Sequence, residues 1–240
     1  MDSTVAAASA AADASVSQTA AAPAPRTRIK MCGLSRAADV RLAAELGVDA
    51  VGLVFWEKSA RSVKPAEAAE LARAVSPYMA LVGLFVNADI DTVRRAASTV
   101  PLSMLQFHGD ETPERCRELA SAVRLPWMRA LRVGATTTSA DLLESALAYA
   151  DGNGIILDAI VDGYGGGGKV FDWSLIPEKL GRRAVLSGGL NAQNVAEAIR
   201  TVRPYAVDVS SGIEVPGARG VKDAARMIAF VRAVRGANAD

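Results

Sequence analysis

Eight short apolar runs alternate with helical patterns along this chain, their starts about 22 to 30 residues apart. The runs are Arg28–Cys32, Ala50–Phe55, Ala80–Val86, Ser103–His108, Met128–Val133, Gly154–Asp158, Ala184–Ser187 and Ala206–Ser210. That spacing holds one strand and one crossover helix, which makes consecutive strands parallel. Eight such repeats of similar length predict an α/β fold closed into a (β/α)8 TIM barrel, with an open doubly wound sheet as the alternative. Closure would bring the C-terminal ends of all eight strands to one mouth, where side chains remote in sequence can meet.

The helices carry local start signals. Ser35 is expected to cap a helix over Arg36–Leu46, with Gly47 ending it. Pro65 and Pro113 open two others at their first turns, where Glu67 and Glu114 complement the helix dipole. Ser139 is expected to cap Ala140–Tyr149, Asn191 to cap Ala192–Thr201, and a last helix to run from Lys222 to Arg235. The stretch after the sixth strand is Gly-rich, and its helix near Asp172–Leu180 should be short.

Residues 1–26 differ in kind from the rest. They are Ala, Ser, Thr and Pro with little else, too poor in large apolar groups to offset the entropy of ordering them. We expect a disordered tail there and a single barrel domain over residues 27–236. The tail has neither the apolar core of a secretory signal nor the Arg-rich, acid-poor character of an organellar transit peptide. Twenty-seven basic and 26 acidic side chains, without a basic block, argue against a nucleic-acid surface. No apolar run reaches the ~18 residues that would span a membrane. Two cysteines are too few for a disulfide framework, so a reducing, cytoplasmic setting is the expectation. Monomer and homodimer both stay open.

Strand parity adds a second layer. If Cys32 faces into the barrel, so does Lys30, because successive strand side chains point to opposite faces. The same count from His108, Asp158 and Ser210 turns Gln106, Ile156 and Asp208 inward. Branched apolar residues normally fill a barrel interior, so Lys30 and Asp208 are expected to pair beneath the mouth.

Several residues at the strand ends suggest chemistry. Cys32 precedes Gly33 at a strand-to-helix turn, with Lys30 and a helix N-terminus near it to favour thiolate; a core thiol is the plainer reading. Asp158 ends an otherwise apolar strand, where packing explains a carboxylate poorly. Arg61 lies in the loop after the second strand, and its planar guanidinium suits a substrate carboxylate. His108, the one histidine, reads first as a structural hydrogen-bonder. Two small-residue loops, Gly188-Gly189 and Ser210-Ser211-Gly212, follow the seventh and eighth strands, where a barrel of this kind holds phosphate. The run Gly163–Lys169 lacks P-loop spacing and reads as a mobile loop over the mouth. No cluster has metal-ligand spacing.

Taken together these stretches resemble the phosphoribosylanthranilate isomerase family. The resemblance rests on Ile29-Lys30-Met31-Cys32-Gly33-Leu34, on Gly52-Leu53-Val54-Phe55 with Lys58-Ser59-Ala60-Arg61, and on Gln106-Phe107-His108-Gly109-Asp110. It extends through Leu157-Asp158, Leu186-Ser187-Gly188-Gly189-Leu190-Asn191 and Val207-Asp208-Val209-Ser210-Ser211-Gly212-Ile213-Glu214. Met31 and Gly167 are mild departures from the family pattern. The resemblance implies an Amadori rearrangement of a phosphorylated small molecule in tryptophan biosynthesis, with no cofactor. It further implies Cys32 as general base, Asp158 as general acid and Arg61 on the anthranilate carboxylate. His108, Asp208, Gly188, Gly189, Ser210, Ser211 and Gly212 fall among the substrate-binding positions. Two rivals remain on the residues alone: a Schiff-base enzyme using Lys30, and a non-catalytic sugar-phosphate-binding barrel.

Overall fold

The computed structural model describes residues 26–159 and 170–238. The expectations for the Ala-rich tail up to Pro25 and for the Gly163–Lys169 run lie outside the described residues. The strands are β1 (Arg28–Cys32), β2 (Ala50–Val54), β3 (Ala80–Phe85), β4 (Met104–Phe107), β5 (Trp127–Val133), β6 (Gly154–Ala159), β7 (Val185–Leu186) and β8 (Ala206–Val209). The helices are α1 (Ala37–Glu45), α2 (Pro65–Ala72), α3 (Ile90–Thr99), α4 (Pro113–Val123), α5 (Ser139–Ala148), α6 (Glu178–Gly181), α7 (Val195–Val202) and α8 (Ala224–Ala237). All strand pairs are parallel, and β8 pairs with β1 to close a barrel in sequence order. The open sheet is thereby excluded. Among the described residues no helix is long and apolar enough to cross a membrane.

Element boundaries shift where a hydrogen bond outweighs a local pattern. Ser35 does not cap α1; Arg36 holds that position without a side-chain cap and instead grips Asp39 through two hydrogen bonds, at 2.8 and 2.7 Å. Thr138, rather than Ser139, caps α5, because Asp141 three residues on returns a bond to its N–H and completes a capping box. Asn191 accepts from the Gln193 and Asn194 N–H groups and bends the chain, so α7 starts at Val195. Asp223 caps the last helix, which begins beyond Lys222. The stretch after β6 splits into a 3₁₀ turn, Trp173–Leu175, and the one-turn α6. Phe55, Val86, His108, Ser187 and Ser210 all fall just past their strands. In those strands the ladder ends one residue short of the expected bound.

Alternation sorts the core into an outer and an inner layer. Met31, Val51, Leu53, Phe85, Leu105, Phe107, Leu157 and Val207 are fully buried in the main core, which includes residues of the helices. Each contributes roughly 1.5–3 kcal/mol by leaving water. Inside the barrel, Met128, Ala130, Ile156, Val185 and Ala206 plug the floor. Cys32, Val54, Leu84 and Val86 form a second apolar group nearer the mouth. Lys30, Gln106 and Asp208 are buried polar residues of the inward set.

Lys30 and Asp208 are register partners across the β1–β8 seam, and Lys30 Nζ donates to Asp208 Oδ1 at 2.9 Å. Burial pushes the Lys30 ammonium down, but the Asp208 charge and then Cys32 more than offset it, leaving it above its ordinary range. Removing one partner strands a buried charge. Asp208→Asn should therefore lower stability by about 3–5 kcal/mol, read as a shifted urea midpoint. Adding Lys30→Met should restore part of that loss. An unchanged midpoint in the single variant would show that the pair does not hold the seam.

Candidate active site

One pocket opens at the C-terminal ends of the strands. Its lining includes Cys32 at the end of β1, Arg61 from the loop after β2, His108 after β4 and Asp158 from β6. Gly188, Gly189, Ser210 and Ser211 close the side formed by β7 and β8, and Asp208 lies below. Nine of the ten residues singled out from sequence line this pocket; Gly212 lies beside it in the turn Ser211–Ile213. Among the described residues, no group of three or more His, Cys, Asp or Glu side chains is gathered to hold a metal.

The thiol sits in a space made for it. A Cβ on Gly52 of β2 would come within 2.7 Å of Cys32 Sγ and 3.3 Å of Lys30 Nζ, so a bare backbone there leaves room for both. Gly33 takes φ +71°, and its missing side chain lets Arg61 lie across the turn, where a Cβ would meet Arg61 Cδ at 2.5 Å. Electrostatics differs here from the sequence expectation of a thiolate. Burial pushes the Cys32 thiol up; Lys30 and Lys222 pull it down and Asp208 pushes it further up, so it stays above its ordinary value. Desolvation of the charged form outweighs the cations. Lys30 itself is engaged beneath the thiol by the Asp208 carboxylate at 2.9 Å.

Arg61 is buried. Its Nε and Nη2 donate to the two Glu214 oxygens at 2.6 and 2.9 Å. Lys222 Nζ reaches the same carboxylate at 3.0 Å and also donates to Ser210 O at 2.9 Å. The Arg61 Nη1 makes no hydrogen bond among the described residues and remains available at the pocket. Ser210 Oγ donates to Cys32 O at 3.0 Å, tying β8 to β1, so this hydroxyl serves the seam. The glycine loops pack with no room to spare. A Cβ on Gly188 (φ +85°) would strike Ala159 N, and one on Gly212 would strike Leu190 O. The Gly188 and Gly189 N–H groups have no partner among the described residues, as a cradle for an oxyanion requires.

On the opposite wall His108 Nε2 meets Asp158 Oδ2 at 2.9 Å, and Gln106 Nε2 meets His108 Nδ1 at 3.1 Å. Gln106 Oε1 is buried without a partner among the described residues, which costs about 1–3 kcal/mol. The bonding role expected of His108 is present, and it acts directly on Asp158. Three contributors carried no assigned role in the sequence. Gln106 had only its inward parity. Glu214 and Lys222 had no local signal at all, since Glu214 meets Arg61 across 153 residues.

A sequence model of the N-(5′-phosphoribosyl)anthranilate (PRA) isomerase family matches residues 29–233. The N-(5′-phosphoribosyl)anthranilate isomerase of Ralstonia nicotianae is 59% identical over 223 residues, covering 89% of this chain and 95% of that protein. The chain belongs to the PRA isomerase family. It isomerises N-(5′-phosphoribosyl)anthranilate, a step of tryptophan biosynthesis. The crystal structure of the Thermotoga maritima phosphoribosylanthranilate isomerase superposes with a TM-score of 0.78 at 40% identity, covering 88% of this chain and 99% of that one. A PRA isomerase solved with reduced 1-(o-carboxyphenylamino)-1-deoxyribulose 5-phosphate gives a TM-score of 0.75 at 38% identity, covering 88% and 99%.

The Glu214 cluster makes a pH prediction. Burial pushes the Glu214 carboxyl up, but the Arg61 hydrogen bonds and the Lys222 charge hold it below its ordinary range. A carboxyl depressed on folding stabilises fully above its unfolded value of about 4.3, and that contribution is lost as pH falls through the lower folded value. Glu214→Gln should thus be less stable than wild type at neutral pH, with the gap shrinking on acidification to about pH 3. Urea titrations of both proteins across that range check it; parallel curves would contradict the assignment.

Proposed function

We propose that this isomerase performs an Amadori rearrangement in which Asp158 is the general acid and Cys32 the general base. Asp158 gives a proton to the ribose ring oxygen as the C1′–O bond breaks, and the anthranilate nitrogen lone pair forms the iminium. The Cys32 thiolate then removes the C2′ proton, and the released electron pair makes the enolamine that relaxes to 1-(2-carboxyphenylamino)-1-deoxyribulose 5-phosphate. Nothing is oxidised or reduced overall, and no cofactor enters the scheme. The observation that carries this reading is that Cys32 and Asp158 line one pocket, between a guanidinium and two glycine loops.

The remaining groups bind. Arg61, held by Glu214, offers Nη1 to the anthranilate carboxylate, a charge-assisted contact. The phosphate rests on the N–H groups of Gly188 and Gly189 and of the Ser210-Ser211-Gly212 turn. Asp208 acts from below by fixing Lys30 beside the thiol. Burial raises the Cys32 thiol, so its base form depends on Lys30 and Lys222, which pull the other way. General acid–base groups typically contribute ~10²–10⁴-fold each. Cys32→Ala and Asp158→Asn should each lower kcat by about that factor while product-analogue binding, followed by calorimetry, stays within a few-fold. Near-normal turnover in either variant would remove its assigned role.

The catalytic unit in this reading is residues 27–236, with residues 1–26 dispensable. Arg26 is exposed and bonds Asp49 from outside the barrel. Deleting Met1 to Pro25 should leave kcat, KM and the urea midpoint unchanged; a marked loss in any of them would give that segment a role in folding or regulation.

A further inference from the structure

We propose that Gln106 is a positioning residue that fixes the proton on His108 at Nε2, so that the proton Asp158 delivers sits on Oδ1. The inference rests on the reading of Asp158 as the general acid and adds how that acid is prepared.

The argument starts from the amide. A Gln side-chain nitrogen only donates, so its contact with His108 Nδ1 at 3.1 Å requires a lone pair on that ring nitrogen. A neutral imidazole with Nδ1 as acceptor carries its hydrogen on Nε2. Nε2 lies 2.9 Å from Asp158 Oδ2, which must therefore accept. With Oδ2 occupied by a donor, a proton on the carboxyl belongs on Oδ1, which makes no hydrogen bond among the described residues. The chain Gln106–His108–Asp158 thus directs the transferable proton toward the pocket. It also leaves a donor waiting on Oδ2 for the carboxylate that remains once the proton has moved to substrate.

Gln106 presents its amide nitrogen to Nδ1, and the two groups are only two residues apart on one strand end. Its own position supports a specific task, because it is fully buried in a barrel interior where Ile156, the floor residue of β6, is apolar. Its Oε1 has no partner among the described residues, so the structure tolerates an orphaned acceptor to keep the amide nitrogen on the ring.

His108 is the only histidine in the chain, so nitrogen-15 long-range NMR of the full-length protein reads this ring without assignment ambiguity. The wild-type spectrum at neutral pH should show a neutral ring with the hydrogen on Nε2. Gln106→Leu and Gln106→Met should release it to the Nδ1–H tautomer or to tautomer exchange. Both should lower kcat about tenfold or more with KM within about twofold. A wild-type ring protonated on Nδ1 overturns the proposal even if neither variant folds. Folded variants that keep the wild-type spectrum overturn it as well. Near-normal turnover in Asp158→Asn would instead remove the acid role while leaving the tautomer result standing, so the two failures are distinguishable.

Discussion

The seam where β8 meets β1 carries the one interaction on which the site depends, the buried contact between Lys30 and Asp208. Neither charge could stay inside an apolar barrel alone, because desolvation without a partner costs several kcal/mol per ion. Their pairing sets the height of the neighbouring groups. Cys32 stands two residues above Lys30 on the same face, in space left by Gly52. Ser210 bonds the Cys32 carbonyl, and Lys222 bonds Ser210 in turn. The seam is thus a column of polar contacts inside an otherwise hydrophobic closure.

Burial is the common condition that gives these groups their chemistry. It raises the Cys32 thiol, so its base form depends on the cations around it. The Lys222 ammonium is lowered by burial, although Glu214 acts against that. The Glu214 carboxylate, by contrast, is kept ionised by Arg61 and Lys222. Arg61 consequently enters the pocket with one edge already neutralised and the other free for an anion. Across the pocket Asp158 bonds His108, which Gln106 bonds in turn. The two walls therefore differ in kind, with buried ionic contacts on one side and a histidine and an amide on the other.

Much of this was legible before the structure because it follows from short-range rules. The eight strand ends, the inward parity of Lys30, Gln106 and Asp208, and the glycine loops after β7 and β8 all follow from period-two alternation and turn chemistry. Helix starts were less legible. Ser35, Ser139 and Asn191 are good capping residues, yet Thr138 with Asp141 makes the better box, and Asn191 spends its side chain on two N–H groups outside α7. The upward shift of the Cys32 thiol was illegible for a different reason. The sequence shows which cations are near, but the depth of burial that opposes them is a property of the packed barrel.

Alternation, spacing and residue type, all encoded within a few tens of residues, were enough to determine the barrel and the cast of side chains at its mouth. They could not determine who bonds to whom there. Glu214 reaches Arg61, Asp158 reaches His108, and Lys30 reaches Asp208 only because closure brings side-chain atoms from distant parts of the chain within 3 Å of one another. Those contacts are fixed by the register and curvature of the whole ring, which no local segment contains.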